Sequence, residues 1–181
     1  MSSLVQKVFS KLSNADYLLL KKINSTRTTF QDSLAKLTSG SIYPAYIIAP
    51  IYELVKNGKQ SGLAMSLSET LQFAITQGLK RIVHRPRPYI THPDINNLKT
   101  EPDASFTSGH TSTAFSIATS FLLNNSKSTI LKYIVVLYAF MMGYARIYMG
   151  VHYPLDSFVG SFVGIGSAFA GQFLSKLIFK K

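Results

Sequence analysis

The chain has 181 residues, 46% of them hydrophobic, with 19 Lys plus Arg against 8 Asp plus Glu, a formal net charge of +11 and no cysteine. That length suits one domain, and the missing cysteine excludes disulfides, thiolate nucleophiles and Cys-ligated metal centres. A basic balance in a chain with only 15% charged residues points to an anionic membrane surface and away from nucleic acid, whose binding modules spread charge over a polar surface.

In residues 1–39, Lys7, Lys11, Lys21, Lys22, Arg27 and Lys36 interrupt every apolar run before it reaches the length of a span. Asp16 to Ile23 reads as an amphipathic helix, either at the membrane interface or packed on the remaining bundle. Met1 to Ser10 lacks the apolar core of a cleaved signal peptide. Residues 40–179 form the core, where long uncharged stretches predict helices near 40–56, 61–83, 108–125, 129–149 and 155–179. A bilayer core about 30 Å thick needs roughly 17–25 mostly apolar residues per helix. The expected fold is therefore an all-α, polytopic membrane helical bundle of about five spans with an N-terminal interfacial segment. The second span is the weakest, because Ser66, Ser68, Glu69, Thr70 and Gln72 fall within it, and a soluble helical bundle is the alternative. An acid inside a span, here Glu69, is a functional candidate by default.

Alternating spans put Lys56, Lys59, Lys127, Lys132, Lys176, Lys180 and Lys181 on one face, which the positive-inside rule makes cytoplasmic. The opposite face carries Lys80, Arg81, Arg85, Arg87, Lys99 and Arg146 at or near helix ends. That face is nearly as basic, which is consistent with cations retained there for chemistry.

Three segments on this outer face are candidates for that chemistry. In Lys80-Arg-Ile-Val-His-Arg-Pro-Arg-Pro88 the prolines end the helix, leaving Lys80 on its last turns and Arg87 in an extended stretch. Such cations either contact lipid headgroups or clamp one phosphate, Arg as a fork and Lys as a point charge. In Ser105-Phe-Thr-Ser-Gly-His110, Gly109 permits close backbone approach and the helix start attracts an anion. Ser108 adds a hydroxyl there and His110 an imidazole; the alternative is a plain helix cap beside a structural histidine. In Arg146-Ile-Tyr-Met-Gly-Val-His-Tyr-Pro-Leu-Asp156, Pro154 opens the last helix, with His152 before it and Asp156 within it. A carboxylate so placed either caps the helix or holds one ring nitrogen of His152, leaving the other as a nucleophile or base.

Together the three segments resemble the type 2 phosphatidic acid phosphatase superfamily, whose pattern is Lys-x6-Arg-Pro, Pro-Ser-Gly-His and Ser-Arg-x5-His-x3-Asp. Thr107 stands where Pro is usual and Ala145 where Ser is usual. The resemblance implies that His152 attacks phosphorus to form a phosphohistidine, that Asp156 orients it, and that His110 protonates the leaving oxygen and later activates water. It assigns Lys80, Arg87, Arg146, Ser108 and the Gly109 amide to the phosphate oxygens, with no metal or other cofactor. His84, His92, Asp94 and Asp103 also lie on the outer side, but without metal-ligand spacing and among repelling cations.

The expected function is thus an integral-membrane phosphatase acting on a phosphomonoester or diphosphate carried by a lipid. Undecaprenyl diphosphate, phosphatidylglycerol phosphate, phosphatidic acid and the lipid A 1-phosphate are the candidates, in a bacterial inner membrane with the site on the periplasmic side. No obligate protein partner is expected. The alternatives are a catalytically idle protein that binds or transports anionic lipids, and a relative of the vanadate-dependent haloperoxidases, which resemble this family in the same motifs. The apolar spans disfavour the haloperoxidase reading, and the presence of both His110 and His152 favours turnover.

Overall fold

The computed structural model describes the backbone of residues 3–124 and 128–180 and the side chains from residue 13 onward within those limits. Of the cations counted above, Lys7, Lys11, Lys127 and Lys181 lie outside these described side chains. Among the described residues the chain is wholly helical: α1 (Ser3–Ser25), α2 (Thr29–Gly40), α3 (Ile42–Asn57), α4 (Lys59–Val83), α5 (Pro88–Thr91), α6 (Gly109–Leu123), α7 (Thr129–Tyr148) and α8 (Pro154–Phe179).

Local chemistry sets the ends of these helices. Ser108 caps α6 by accepting from the Thr111 amide, Ser128 caps α7 in the same way, and Pro154 lies in the first turn of α8. Helix α4 stops at His84, which is left-handed at φ 49°, just before the two prolines that cannot continue it. Arg87 follows in extended backbone, as its neighbouring prolines require, and Pro88 starts the short α5. That turn within the 84–107 connection was not anticipated from the sequence.

The packing is polar inside and apolar outside. Ser68, Glu69, Gln72 and Thr76 of α4 are buried, as are Ser112, Ser116 and Ser120 of α6. The exterior carries Ile134, Leu137 and Phe140 of α7 and Phe158, Phe162 and Phe169 of α8. An apolar exterior of this extent is matched to lipid, where exposed side chains need no hydration. Without a hydrophobic drive between helices in lipid, close backbone approach holds them together. Gly160, Gly164, Ala168, Gly171 and Ser175 line the buried stripe of α8. A Cβ added at Gly160 would come within 2.8 Å of the Ser108 carbonyl oxygen, so α8 lies against the start of α6.

The protein is a polytopic membrane helical bundle. Helices α7 and α8 are long and apolar enough to cross a bilayer by length and composition alone. Helices α3 and α6, at 16 and 15 residues, are shorter than a usual span, and the buried polar residues of α4 lower its hydropathy. The ends of α4 and α7 and the starts of α6 and α8 meet at one end of the bundle, where α1 packs against α7 and α8 and α2 packs against α7.

Candidate active site

A cavity of about 600 Å³ opens at that end, and Lys80, Arg87, Gly109, His110, Arg146 and His152 all line it. Three different helix ends and two loops supply these groups. The two remaining predicted residues sit just behind the wall. Asp156 is fully buried one turn into α8, and Ser108 is fully buried as the cap of α6. The Ser108 oxygen accepts from the Thr111 hydroxyl at 2.9 Å; the group this turn presents to the cavity is Gly109.

His152 is 1% exposed, in the loop between α7 and α8. Arg87 Nη1 lies 3.1 Å from its Nε2. A guanidinium only donates, so Nε2 is the accepting nitrogen and the proton sits on Nδ1. Burial, then Arg87, Arg146, Lys80 and His110, hold this imidazole well below its ordinary pKa, which keeps Nε2 unprotonated.

The sequence led us to expect a direct pairing of Asp156 with His152, and the arrangement differs. Asp156 Oδ2 is 3.7 Å from Nδ1, beyond hydrogen-bond reach. Between them stands the Ser105 hydroxyl, 2.5 Å from Asp156 Oδ2, to which it donates, and 3.4 Å from Nδ1. Asp156 also accepts from the Tyr153 amide at 3.0 Å and from Arg85 Nη1 at 2.7 Å. Its place in the first turn of α8, with three competing donors around it, is why the carboxylate cannot turn wholly to the imidazole.

The three cations are already paired. Lys80 meets Asp103 Oδ2 at 3.1 Å and donates to the Ala104 carbonyl at 2.5 Å. Arg87 pairs with Asp103 Oδ1 and donates to the Asp103 and Val151 carbonyls at 2.9 and 2.8 Å. Arg146, 1% exposed, donates to Ser39 Oγ at 2.6 Å and Glu101 Oε1 at 2.8 Å. Burial opposes ionisation of Asp103, but Lys80 and Arg87 outweigh it and hold this carboxylate below its usual range. Arg146 does the same for Glu101.

Two buried nitrogens on the cavity wall, His110 Nε2 and Arg146 Nε, have no hydrogen-bond partner among the described residues. Leaving a buried donor unpaired costs about 1–3 kcal/mol, so these atoms mark a place for a polar ligand. The His110 ring is steadied from the side by the edge-on Tyr43 ring, 5.5 Å away.

Sequence reasoning assigned no role to Ser105, Asp16 or Ser39, and it paired none of the site cations with Asp103 or Glu101 and did not pair Arg85 with Asp156. One signal was present. With only 8 acidic residues in the chain, all except Glu53 and Glu69 lie toward the outer face, and site cations would be expected to find their partners among them.

Residues 61–177 match the family model described as the PAP2 superfamily. Among similar proteins is the bacitracin transport permease protein BcrC of Bacillus licheniformis, 32% identical over 134 residues, covering 70% of this chain and 64% of that one. The chain thus spans less than two thirds of that relative's length. The lipid A 4'-phosphatase of Bacteroides thetaiotaomicron is 29% identical over 168 residues, covering 84% of this chain and 73% of its own length. The crystal structure of Aquifex aeolicus LpxE has the same fold, with a TM-score of 0.73 and 35% identity, covering 84% of this chain and 92% of that one. A model match over most of the core, on a bundle whose end gathers the predicted Lys, Arg and His residues into one cavity, means that the chain belongs to the PAP2 superfamily.

Proposed function

We propose that this protein is an integral-membrane phosphatase that hydrolyses a phosphomonoester or diphosphate on a lipid through a phosphohistidine, without a metal. The observation that carries this reading is the cavity wall itself. Three cations, two imidazoles and two unpartnered buried nitrogens face one space, a set suited to a tetrahedral oxyanion and to proton transfer.

In this reading His152 Nε2 attacks phosphorus as the bond to the leaving oxygen breaks. His110, protonated once the anionic phosphate is bound beside it, gives its proton to that oxygen. Lys80, Arg87, Arg146 and the Gly109 amide neutralise the three equatorial oxygens, taking the place that Asp103 and Glu101 fill in the free protein. A water then gives a proton to His110 and attacks phosphorus, the N–P bond breaks, and inorganic phosphate leaves with His152 neutral again. Ser105 and Asp156 keep the proton on Nδ1 throughout.

The substrate class follows from the opposite wall. Tyr43, Ile47 and Phe73, from α3 and α4, line the cavity and are at the same time 57%, 62% and 54% exposed on the apolar exterior. The cavity therefore opens sideways between these helices, so a lipid tail can stay in the bilayer while its phosphate enters. Names among the relatives include undecaprenyl-diphosphatases and a lipid A 4'-phosphatase, and lipids of both kinds belong in the test. We place the site on the periplasmic side of a bacterial inner membrane, with α3, α4, α6, α7 and α8 as five spans and residues 1–39 as an interfacial segment on the 40–179 core.

The test is phosphate release by detergent-solubilised protein, with chelator, from undecaprenyl diphosphate, phosphatidylglycerol phosphate, phosphatidic acid and lipid A. Release that survives chelation and disappears in His152→Ala supports the reading. Absence of release from every lipid, with vanadate still bound, overturns it in favour of an anion-binding or transport protein.

A further inference from the structure

The buried carboxylate of Asp156 is linked to the N-terminal helix by one guanidinium. Arg85 donates through Nη1 to Asp156 Oδ1 at 2.7 Å and through Nη2 to Asp16 Oδ2 at 2.6 Å. Asp16 comes from α1, yet it is only 8% exposed, and its Oδ1 accepts from the Leu155 amide at 2.8 Å. That amide is one of the unpaired donors at the start of α8. The guanidinium also lies over the Tyr153 ring, 3.7 Å from its centre, and the Tyr153 hydroxyl is held by Thr91 Oγ1 at 2.6 Å.

We propose that Arg85 and Asp16 are positioning residues for His152, acting through Asp156, so that the docked α1 is a working part of the active site. The proposal rests on the phosphatase reading above and adds to it a residue, Asp16, that lies outside the 61–177 stretch matched by the family model. The physical reason is rotational freedom. Asp156 has two oxygens and needs one of them, Oδ2, aimed at Ser105 and the Tyr153 amide. Arg85 fixes the other, and Asp16 with the Tyr153 ring fixes Arg85. Without Arg85, Oδ1 is buried with no donor in its place, and the carboxylate turns to recover one. Ser105 then loses its acceptor, and the Nδ1 side of His152 loses its support. Neither Arg85 nor Asp16 lines the cavity, so phosphate binding is left to Lys80, Arg87 and Arg146.

Turnover of the lipid that wild type hydrolyses is to be measured for Arg85→Gln, Arg85→Lys, Asp16→Ala and the Arg85→Gln/Asp16→Ala double variant, with vanadate binding alongside. A misplacement transmitted from a distance can cost about 100-fold. We expect kcat to fall about 100-fold in Arg85→Gln with KM and vanadate affinity little changed, and Arg85→Lys to recover part of the loss. Asp16→Ala lowers kcat about tenfold, the scale of one charge-assisted hydrogen bond. Residues acting through one path are not additive, so the double variant is no slower than Arg85→Gln alone. Multiplicative losses, or a rise in KM with kcat intact, overturn the proposal. If Arg85→Gln does not fold, Arg85→Lys and Asp16→Ala carry the same comparison. The ring nitrogen signals of His152, in protein labelled at histidine, give a readout independent of turnover. If wild type hydrolyses nothing, the phosphatase reading fails, yet both variants shift the Nδ1 signal in the same direction when Arg85 and Asp16 position the ring. An unchanged signal overturns the positioning itself.

Discussion

Ser105 Oγ lies 2.5 Å from Asp156 Oδ2 and 3.4 Å from His152 Nδ1, while the imidazole and the carboxylate are 3.7 Å apart. The hydroxyl therefore hands the negative charge of Asp156 on to the ring. Ser105→Ala removes that link, and Asp156 cannot close the gap because Arg85 and the Tyr153 amide hold it. Loss of a hydrogen bond to a charged group is worth about 1.5–3 kcal/mol, so kcat should fall about tenfold to a hundredfold at nearly constant KM. Steady-state phosphate release checks this. An unaltered kcat would show that Asp156 supports the ring directly.

Burial and the cations around it hold the His152 imidazole well below its ordinary pKa. The His152 ring signals should stay constant as pH falls from 7.5 to about 5.5, through the usual midpoint near 6.5. The sign for stability follows. The unfolded chain takes up a proton on His152 near 6.5 and the folded protein does not, so acidification below that value favours unfolding. Histidine-labelled protein in detergent, with His152→Asn to identify the signal, gives the measurement, and a His152 midpoint near 6.5 contradicts the expectation.

Asp103 and Glu101 meet the cations that are proposed to take phosphate. Asp103 is ionised at neutral pH, because Lys80 and Arg87 overcome its burial, and an incoming oxyanion must displace it. Asp103→Asn keeps the shape and removes the competing charge, so vanadate should bind about twofold to fivefold tighter, the scale of a half-exposed ion pair worth up to about 1 kcal/mol. Inhibition of phosphate release by vanadate measures it. Weaker binding in the variant would instead make Asp103 a brace for Lys80 and Arg87.

What could be read from the sequence depended on the range of the interaction. The five long helices were legible because uncharged runs and the local signals at Ser108 and Pro154 act within a few residues. The gathering of Lys80, Arg87, His110, Arg146 and His152 was legible because each falls beside a helix end on the same face. The partners were not. Asp16 reaches Leu155 across 139 positions and Ser39 reaches Arg146 across 107, and no periodicity encodes which polar side chain closes such a gap. The expected bond between Asp156 and His152 failed for the same reason, since its competitors Arg85 and Ser105 come from other parts of the chain.

Gly160 offers a test of how tightly the bundle fixes the site. It lies on the buried stripe of α8, and an added Cβ would meet the Ser108 carbonyl oxygen at 2.8 Å. That oxygen belongs to backbone that cannot easily give way, because the Ser108 amide donates to the Asp156 carbonyl at 3.1 Å and the Ser112 amide donates back to Ser108 at 3.0 Å. Gly160→Ala must therefore push the start of α6, and with it Gly109 and His110, away from α8. Overpacking of this kind typically costs about 1–3 kcal/mol, and here the strain falls on the turn proposed to hold phosphate. The variant should unfold at lower temperature in detergent and release phosphate more slowly. Gly166→Ala is the control, since its Cβ would meet nothing within 4 Å and alanine is the better helix former by about 1 kcal/mol. If both variants unfold and turn over like wild type, the contact between α8 and the Ser108 turn is looser than these distances require, and the site is set by its ion pairs alone.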